Sequence, residues 1–359
     1  MGLFGARRNV KPVFVGCNGD KLVRGIYVFY LDVDNGEIIK KKYYQAPANP
    51  SCFYRRERFI YTGYKNASGR AVDGGLCQYA SMELQFGLAG KVSDHGKTYA
   101  SCFVNEERTC AYCVDYYNGE VVSIPILNQK IVRVKEIKKH EGKGLDPKLQ
   151  AQAHPCFIEQ TPDKERLVVC DFGTDEVVLY IPGEKGAFER DEDNSFHVEP
   201  GSGPKKVVFS ADGSFAYVLN QLNNTVGLYK YHEHHFEFVE NISTYPKEEY
   251  IGDNNATDIV ISQSNDYLFV SNAGHDSVSV FEIDSETGRL TYVDHADTDE
   301  KPSGMLLIDD HMVLVASQKG GSLESFEIRR NESKGILFET HFSYMISEPT
   351  CMVEGRSLF

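Results

Sequence analysis

A repeated unit of strand-forming residues organises the whole sequence. Its clearest copy spans residues 203–231, where the apolar segments KKVVFS, FAYVLN and TVGLYKY are separated by an Ala211-Asp212-Gly213 turn and a short polar loop. The segments alternate in polarity and are rich in β-branched and aromatic side chains, as half-buried antiparallel strands are. The unit therefore predicts a small antiparallel sheet.

The same order of segments recurs six times in full and a seventh time in two parts. Successive copies begin about 46 to 56 residues apart, the length of a four-stranded propeller blade. The starting positions are Pro50, Tyr99, Pro155, Pro204, Ala256, Pro302 and Pro349. Joining the last, C-terminal strand to the N-terminal segments 13–17 and 25–32 would close a ring and remove its exposed sheet edges. We therefore predict an all-β, seven-bladed β-propeller of four-stranded antiparallel blades, a single domain over residues 1–359 in which the two chain ends share one blade.

Composition narrows the class of protein further. The chain carries 38 Lys and Arg against 52 Asp and Glu, and this net charge of −14 argues against a nucleic-acid partner. No apolar run approaches the roughly 20 residues that span a bilayer, and Arg7 and Arg8 lie in an N-terminus that lacks the apolar stretch of a signal peptide. Nine cysteines in a long chain favour reduced thiols. We expect a cytoplasmic protein without a membrane partner, and the sequence carries no signal for its oligomeric state.

Two further features concern the filling and the regularity of the blades. Trp is absent and Tyr and Phe number 21 each, so Tyr and Phe must fill the blades, and a propeller built on the Trp-Asp repeat is excluded.

The longest break in the repeat is the segment 128–152, which carries Lys135, Lys138, Lys139 and Lys143 among glycines. Such a charge run is typical of a solvated loop, and it could also overhang one face of the disc.

The cysteines predict packing rather than metal chemistry. Four of them fall at nearly the same place in their repeats, where a small apolar side chain suits contact between blades: Cys52, Cys102, Cys156 and Cys351. Cys110 and Cys113 form a single CxxC pair, but side chains three apart in a strand point to opposite faces. The sequence also lacks a GxSxG elbow, a phosphate loop and an HExxH motif, so we predict neither a metal nor a cofactor.

Polar residues at the repeat boundaries form the candidate site, because in a propeller such residues converge on the mouth of the central channel. They are Gln150, His154, Asp171, Lys205, Asn220, Gln221, Asp258, Asn272 and His275. A His exchanges protons near neutral pH, a carboxylate can orient it, and Lys205 could stabilise an oxyanion or bind a carboxylate. The alternative for Asp171, Asn220 and Asn272 is structural, since such residues at strand ends often hydrogen-bond to turn backbone.

Three stretches resemble a known family. Residues 154–180, 203–229 and 266–291 are similar to the lactonase family of seven-bladed propellers, which includes propeller-type 6-phosphogluconolactonases and fungal carboxy-muconate cyclases. The resemblance extends over essentially the whole chain, and it implies the propeller fold.

The polar set of that family is only partly present. Its His-x-His pair corresponds to His154 and Cys156, its Gly-Pro-Arg-His to 203–206 with Lys205 and Lys206, and its Asn-Glu to Asn220 and Gln221. In its Asn-Arg-Gly-His-Asp stretch, residues 272–276, Ala273 replaces the Arg, and Asp258 stands where the family usually has Glu. Lys keeps a positive charge but loses the planar fork of Arg, and a Gln cannot act as a base.

The resemblance implies a hydrolase, similar to 6-phosphogluconolactonases, that acts on a sugar-derived lactone or a related carbohydrate acid. In this hypothesis His154, supported by Asp258, activates water, and Lys205 holds the carbonyl oxygen with Asn220 and Gln221. The remaining candidates, Gln150, Asp171, Asn272 and His275, contribute to substrate binding. Two alternatives stay open: a non-catalytic propeller that binds a ligand or a protein, and a cyclase or lyase acting on a carboxylated substrate, against which the missing arginines count.

Overall fold

The computed structural model describes residues 9–19, 24–68, 71–82, 85–94, 96–246, 250–330 and 335–356. In these residues the predicted all-β propeller is confirmed: six sheets have four antiparallel strands, and a seventh has an additional two-residue strand. Arg7 and Arg8 lie outside the described residues. Among those described there is no helical segment with the length and apolar character that crossing a bilayer requires.

The strands follow one another in chain order around the ring. The chain opens with β1 (Val10–Cys17), β2 (Gly25–Asp32) and β3 (Ile38–Tyr44). Blade 1 contains β4 (Pro50–Arg56), β5 (Phe59–Ser68), β6 (Ala71–Met82) and β7 (Gln85–Ser93). Blade 2 contains β8 (Tyr99–Val104), β9 (Cys110–Asp115), β10 (Glu120–Leu127), β11 (Lys130–Ile131) and β12 (Glu136–Lys139). Blade 3 contains β13 (Pro155–Gln160), β14 (Leu167–Asp171), β15 (Glu176–Pro182) and β16 (Phe188–His197).

The second half of the chain repeats this order. Blade 4 contains β17 (Pro204–Phe209), β18 (Phe215–Asn220), β19 (Thr225–His232) and β20 (His235–Ser243). Blade 5 contains β21 (Asn255–Ile261), β22 (Tyr267–Ala273), β23 (Ser277–Ile283) and β24 (Leu290–Asp297). Blade 6 contains β25 (Pro302–Ile308), β26 (Met312–Ser317), β27 (Ser322–Ile328) and β28 (Leu337–Met345). The last strand, β29 (Pro349–Glu354), completes blade 7 together with β1, β2 and β3.

The ends of the chain close the ring as the repeat pattern predicted. Strand β29 pairs with β1, with Met352 opposite Val15, so one blade contains both the first and the last strand. The first strand of every blade contacts the first strands of its neighbours and lines the central channel. We call the face where these inner strands begin the entrance face. The second strand of each blade ends on the same face, as the pairing of Pro155 with Asp171 shows for blade 3.

The apolar core is divided among the seven junctions between blades. Each junction contains one cluster of buried side chains, such as Tyr61 and Leu76 of blade 1 packed with Val104 and Val122 of blade 2. The largest completely buried side chains are all Tyr or Phe, as the absence of Trp predicted. Burial of these faces from both sides fixes each blade against the next.

The prediction of a solvated loop over residues 128–152 is wrong for its first half. Strand β12 pairs with β10, with Lys138 opposite Val121, and forms the outer edge of blade 2. Lysines are common on sheet edges because they discourage pairing with other chains, so the charge pattern of this strand resembles that of a loop. Lys138 lies 2.8 Å from Glu136 and 3.1 Å from Glu189.

The two cysteines of the CxxC pair do face opposite sides of β9. Cys113 packs in the cluster between blades 1 and 2, and Cys110 packs in the cluster between blades 2 and 3. Within the described residues no group of three or more His, Cys, Asp or Glu side chains is arranged to hold a metal ion.

Candidate functional site

A β-bulge recurs at the same position of all seven inner strands. In each strand the register with the second strand shifts around the residue that follows the starting position of the repeat. The bulged residue is left without a ladder partner, so two consecutive side chains can face the channel instead of one. The residues at this position are Ser51, Ala100, Cys156, Lys205, Thr257, Ser303 and Thr350, and all of them line one cavity of about 240 Å³ in the channel.

Five of these bulge residues join consecutive blades by hydrogen bonds. Each donates from its hydroxyl or thiol to the first backbone carbonyl of the next inner strand. The bonds are Ser51 Oγ to Tyr99 O (2.6 Å), Cys156 Sγ to Pro204 O (3.5 Å), Thr257 Oγ1 to Pro302 O (2.7 Å), Ser303 Oγ to Pro349 O (3.2 Å) and Thr350 Oγ1 to Pro50 O (3.0 Å). Ala100 and Lys205 occupy the two remaining bulge positions, and neither side chain has a hydroxyl or thiol group.

An ion pair occupies the channel cavity beside Lys205. Lys206 Nζ lies 2.7 Å from Asp258 Oδ1, and both side chains are mostly buried. Asp258 Oδ2 also accepts a hydrogen bond from the backbone N–H of Met305 in the neighbouring blade, at 2.8 Å. The charge of Asp258 is therefore matched inside the protein by Lys206.

Lys205 differs from its neighbour Lys206. In the described part of the chain no carboxylate pairs with its ammonium group, although it lines the same cavity. Burial lowers the pKa of Lys205 below the usual lysine value, because the ammonium group loses contact with water. The amino group of Lys205 is thus the lysine nitrogen of this cavity that is not engaged by a carboxylate of the described residues.

A second pocket of about 440 Å³, the mouth pocket, opens on the entrance face above the channel cavity. Its lining consists of Asn18, Asn49, Ser51, Lys65, Thr98, Ala100, Tyr116 and Tyr117. Ser51 and Ala100 line both spaces, so the pocket leads into the channel. Lys65 Nζ lies 5.2 Å from the centre of the Tyr117 ring, a cation–π distance.

His154 is not itself a lining residue of this pocket, but it packs on Tyr116, which is. Its ring stacks on Tyr116, with 4.3 Å between ring centres and 11° between ring planes. Its Nδ1 lies 2.8 Å from the backbone carbonyl oxygen of Tyr116. A carbonyl only accepts hydrogen bonds, so Nδ1 carries the hydrogen and Nε2 of the neutral ring keeps a lone pair.

The predicted support of His154 by Asp258 does not occur. Asp258 is engaged by Lys206 and by the Met305 N–H, and the His154 ring is oriented by Tyr116. The carboxylate close to His154 is Asp171, which accepts a hydrogen bond from the His154 backbone N–H at 2.7 Å. That bond is made by the main chain of His154 and not by its imidazole.

Asp171 and Gln150 lie in a buried network beneath the entrance face. Asp171 Oδ2 is 2.7 Å from Nδ1 of His140, whose Nε2 is 2.7 Å from the Tyr180 hydroxyl. Gln150 donates to Phe172 O and to Asp175 Oδ1. The segment after β12 therefore packs over this face. Asp171 Oδ1 also accepts hydrogen bonds from the backbone N–H groups of Gly173 and Thr174 in the turn after β14, which is the structural alternative for this residue.

The side chain of Asn272 also makes its hydrogen bonds with other protein groups. Its side-chain oxygen accepts from Thr244 Oγ1 and Asn254 Nδ2, and its amide donates to Thr244 O and Ser279 Oγ. The residue is completely buried, so the structural alternative describes these contacts as well.

The remaining three predicted residues lie on the entrance face but do not line the two pockets. Asn220 donates to Thr225 Oγ1 at 3.1 Å, and its buried side-chain oxygen has no hydrogen-bond partner in the described residues. Gln221 is partly buried, and its backbone N–H donates to Gly203 O. His275 holds its Nδ1 2.6 Å from Ser277 Oγ and packs edge-on against Tyr250.

Comparison with known proteins gives the family. The family model described as "Lactonase, 7-bladed beta-propeller" matches residues 12–354. The chain belongs to this lactonase family. The resemblance inferred from residues 154–180, 203–229 and 266–291 is therefore confirmed.

Individual relatives of this lactonase-family chain match over nearly their full length. An uncharacterized protein, YwcC, from Lactococcus lactis subsp. lactis is 28% identical over 349 residues, which are 96% of this chain and 99% of the relative. The periplasmic gluconolactonase PpgL of Pseudomonas aeruginosa matches with a TM-score of 0.87 and 20% identity, over 97% of this chain and 99% of that one. A candidate 6-phosphogluconolactonase from Bacteroides fragilis matches with a TM-score of 0.88 and 21% identity, over 98% and 99%. At such identities the two structures show the fold that this lactonase-family chain shares with them.

Sequence reasoning missed two parts of the site in this lactonase-family chain. The bulge residues Ser51, Thr257, Ser303 and Thr350 were not selected, although aligning the seven repeats places Ser, Thr or Cys directly after the first residue in five of them. Tyr116 was also missed. It follows the second strand of blade 2, and its role depends on contact with His154 across 38 residues of chain.

Proposed function

We propose that the protein hydrolyses a lactone of a sugar acid at the mouth of its channel. The observation that carries the proposal is the fixed orientation of His154, whose Nδ1 is held by the Tyr116 carbonyl while Nε2 keeps its lone pair. Membership of the lactonase family supports the reaction class. The gluconolactonase PpgL and the candidate 6-phosphogluconolactonase, which share the fold, support a sugar lactone as the substrate.

The proposed reaction needs one general base and one cation. Nε2 of His154 accepts a proton from water while the water oxygen attacks the carbonyl carbon of the lactone. The ammonium group of Lys205 stabilises the negative oxygen that forms. The ring C–O bond then breaks, and the imidazolium returns the proton to the leaving oxygen, so that one water is consumed and a hydroxy acid forms.

Two lysines favour an acidic product and an acidic or polar substrate. Lys65 lines the mouth pocket and Lys205 lines the channel cavity below it, and no ion pair to either is found in the described residues. The exposed ring of Tyr117 beside Lys65 offers an apolar surface on which a sugar ring can stack. A phosphorylated sugar lactone fits this distribution of charge, and we include it among the proposed substrates.

The test is a lactone hydrolysis assay on the purified protein with D-glucono-1,5-lactone and 6-phosphogluconolactone, corrected for spontaneous hydrolysis. We expect a rate above background, which His154→Gln lowers by about 100-fold or more because the general base is removed. His232→Gln, which changes an exposed His at the end of β19, is the matched control and should keep the wild-type rate. No excess rate, or an unchanged rate for His154→Gln, contradicts the proposal.

One observation favours a second candidate, a propeller that binds carbohydrate acids without turnover. The carboxylate expected to support His154 is occupied by Lys206, and Gln221 cannot replace it as a base. A binding protein would show a thermal shift with gluconate that Lys205→Met abolishes, with no hydrolysis of either lactone. Measurable turnover removes this candidate.

We also propose a cytoplasmic location for the protein. All nine cysteines are free thiols, which suits a reducing compartment. Fractionation of the producing cells with an antibody against the protein tests this, and recovery outside the cytoplasmic fraction contradicts it.

A further inference from the structure

Two cysteines meet where the inner strands of blades 1 and 2 pack together. Cys52 of β4 and Cys102 of β8 hold their sulfur atoms 3.7 Å apart, close enough for a thiol to hydrogen-bond to its neighbour. Both side chains are almost completely buried in the same apolar cluster. Cys52 is also one of the residues that line the channel cavity.

The absence of a side chain at Gly63 allows this approach. Gly63 lies opposite Cys52 in the ladder between β4 and β5. A Cβ atom there would lie 2.3 Å from Tyr99 O and 2.5 Å from Ser51 Oγ. The backbone of β8 can therefore come close to blade 1, and Cys102 is carried with it.

The two thiols are electrostatically unequal. The pKa of Cys52 lies below the usual range, chiefly because of its hydrogen bond with the Cys102 thiol and to a smaller extent because the Gly63 N–H donates to its sulfur. The pKa of Cys102 is raised by its bond to Cys52 and by burial. Cys52 is thus the sulfur that loses its proton first, and Cys102 is the one that stays protonated beside it.

We propose that Cys52 and Cys102 form a redox-active pair, which hydrogen peroxide closes into a disulfide between blades 1 and 2. The Cys52 thiolate attacks one peroxide oxygen, the O–O bond breaks, and Cys52 becomes a sulfenic acid while hydroxide leaves and takes up a proton. The Cys102 sulfur then attacks the Cys52 sulfur, the S–O bond breaks, and the departing hydroxide takes the Cys102 proton. In total two thiols and one peroxide yield one disulfide and two waters.

This modification is independent of the proposed lactone hydrolysis. The pair lies beside Ser51 and Ala100, which line both the mouth pocket and the channel cavity. Its formation is measured on the protein itself, without reference to a substrate. Failure of the lactone assay therefore leaves it unaffected, and failure of disulfide formation leaves the hydrolase proposal unaffected.

The test treats the reduced, folded protein with increasing hydrogen peroxide, blocks the remaining thiols under denaturing conditions, and maps peptides by mass spectrometry with and without reductant. We expect the thiol count to fall by two from nine, with a linked peptide that contains Cys52 and Cys102 and separates on reduction. The oxidised protein should melt at a higher temperature than the reduced one, because the bond restricts the unfolded chain. Retention of all thiols, or a linked peptide that joins Cys52 to Cys351 instead, overturns the proposal.

Variants separate the two roles within the pair. Cys102→Ala removes the partner thiol and the hydrogen bond that lowers the pKa of Cys52, so we expect no linked peptide at the peroxide concentrations that close the pair in the wild type. Cys113→Ala is the matched control. Cys113 lies opposite Cys102 in the ladder between β8 and β9 and is buried in the same apolar cluster as the pair, and burial raises the pKa of its thiol. This variant should leave the linked peptide unchanged. If Cys102→Ala does not fold, the peptide map of the wild-type protein still decides the proposal.

Discussion

Lys206 and Asp258 pair in the wall of the channel, with Nζ and Oδ1 2.7 Å apart, and join the neighbouring inner strands of blades 4 and 5. The bond is possible because the bulge at Lys205 turns both consecutive lysines towards the channel. One lysine is thereby neutralised, and the other keeps a charge that the protein does not match with an ion pair in its described residues.

Removing the charge of Asp258 should destabilise the fold. Asp258→Asn leaves Lys206 mostly buried without its carboxylate, and we expect a loss of about 1 to 3 kcal/mol in the free energy of unfolding, between the values for exposed and buried pairs. Urea denaturation measures it. Lys319→Gln breaks an exposed ion pair with Glu300 and should unfold like the wild type. An unchanged denaturation midpoint for Asp258→Asn would show that the ion pair of Lys206 and Asp258 does not stabilise the fold.

The buried ammonium group of Lys205 should lower the free energy of unfolding at neutral pH. Burial lowers its pKa, so the folded state binds the proton less tightly than the unfolded state, and the penalty is complete below both pKa values. Lys205→Met should therefore be more stable than the wild type by about 1 kcal/mol at pH 7. As the pH rises from the lowered pKa towards the usual 10.5, the wild type loses this penalty and the difference should shrink.

Thermal melts of both proteins at pH 7 and pH 10 check this prediction. Lys143→Met, which removes an exposed lysine, is the control for loss of one positive charge. A wild type that is more stable than Lys205→Met at pH 7 contradicts it, since the ammonium group would then be stabilised where it lies.

A methyl group at Gly63 should disturb the contact between blades 1 and 2. The new Cβ would meet Tyr99 O, a backbone atom that cannot turn away, at 2.3 Å. We expect Gly63→Ala to lose about 1 to 3 kcal/mol of unfolding free energy. Gly87→Ala, also in a strand of blade 1 but with open space around its Cβ, should be neutral or slightly stabilising. Equal stability of the two variants would show that blade 2 can move back without cost.

The hydrogen bonds between blades around the channel should be measurable one at a time. Thr257→Val keeps the shape of the side chain but removes its bonds to Pro302 O and to Ser271. We expect a loss of about 1 to 2 kcal/mol in chemical denaturation, because partly buried partners lose a donor. Thr291→Val, on the exposed face of β24, should change stability little. A similar loss in both variants would point to a general effect of replacing Thr.

The repeat pattern predicted the architecture closely because each blade is a local unit. The seven starting positions coincide with the first or second residue of the seven inner strands, and the shared blade of the chain ends follows from the missing strands of the last repeat. Strand β12 was misread because an edge strand exposes its lysines. The extent of the single domain over residues 1–359 stays a prediction.

Only two of the nine selected residues line the pockets that the structure shows. Lys205 and Asp258 were expected in the channel, and both line its cavity. The partner of His154 could not be predicted, because Tyr116 reaches it from another blade. The roles of the nine selected residues in binding or catalysis stay predictions.

The sequence by itself determined the number of blades, the closure of the ring and the filling of the core by Tyr and Phe, since these depend on local polarity patterns repeated along the chain. Only the tertiary structure decided which polar groups remain free for chemistry. A shift of one residue at each bulge brings Lys206 to Asp258 and leaves Lys205 in the channel, and the close packing of blades brings Cys52 to Cys102. Such contacts depend on distances of a few ångströms between distant parts of the chain, which no local pattern of residues specifies.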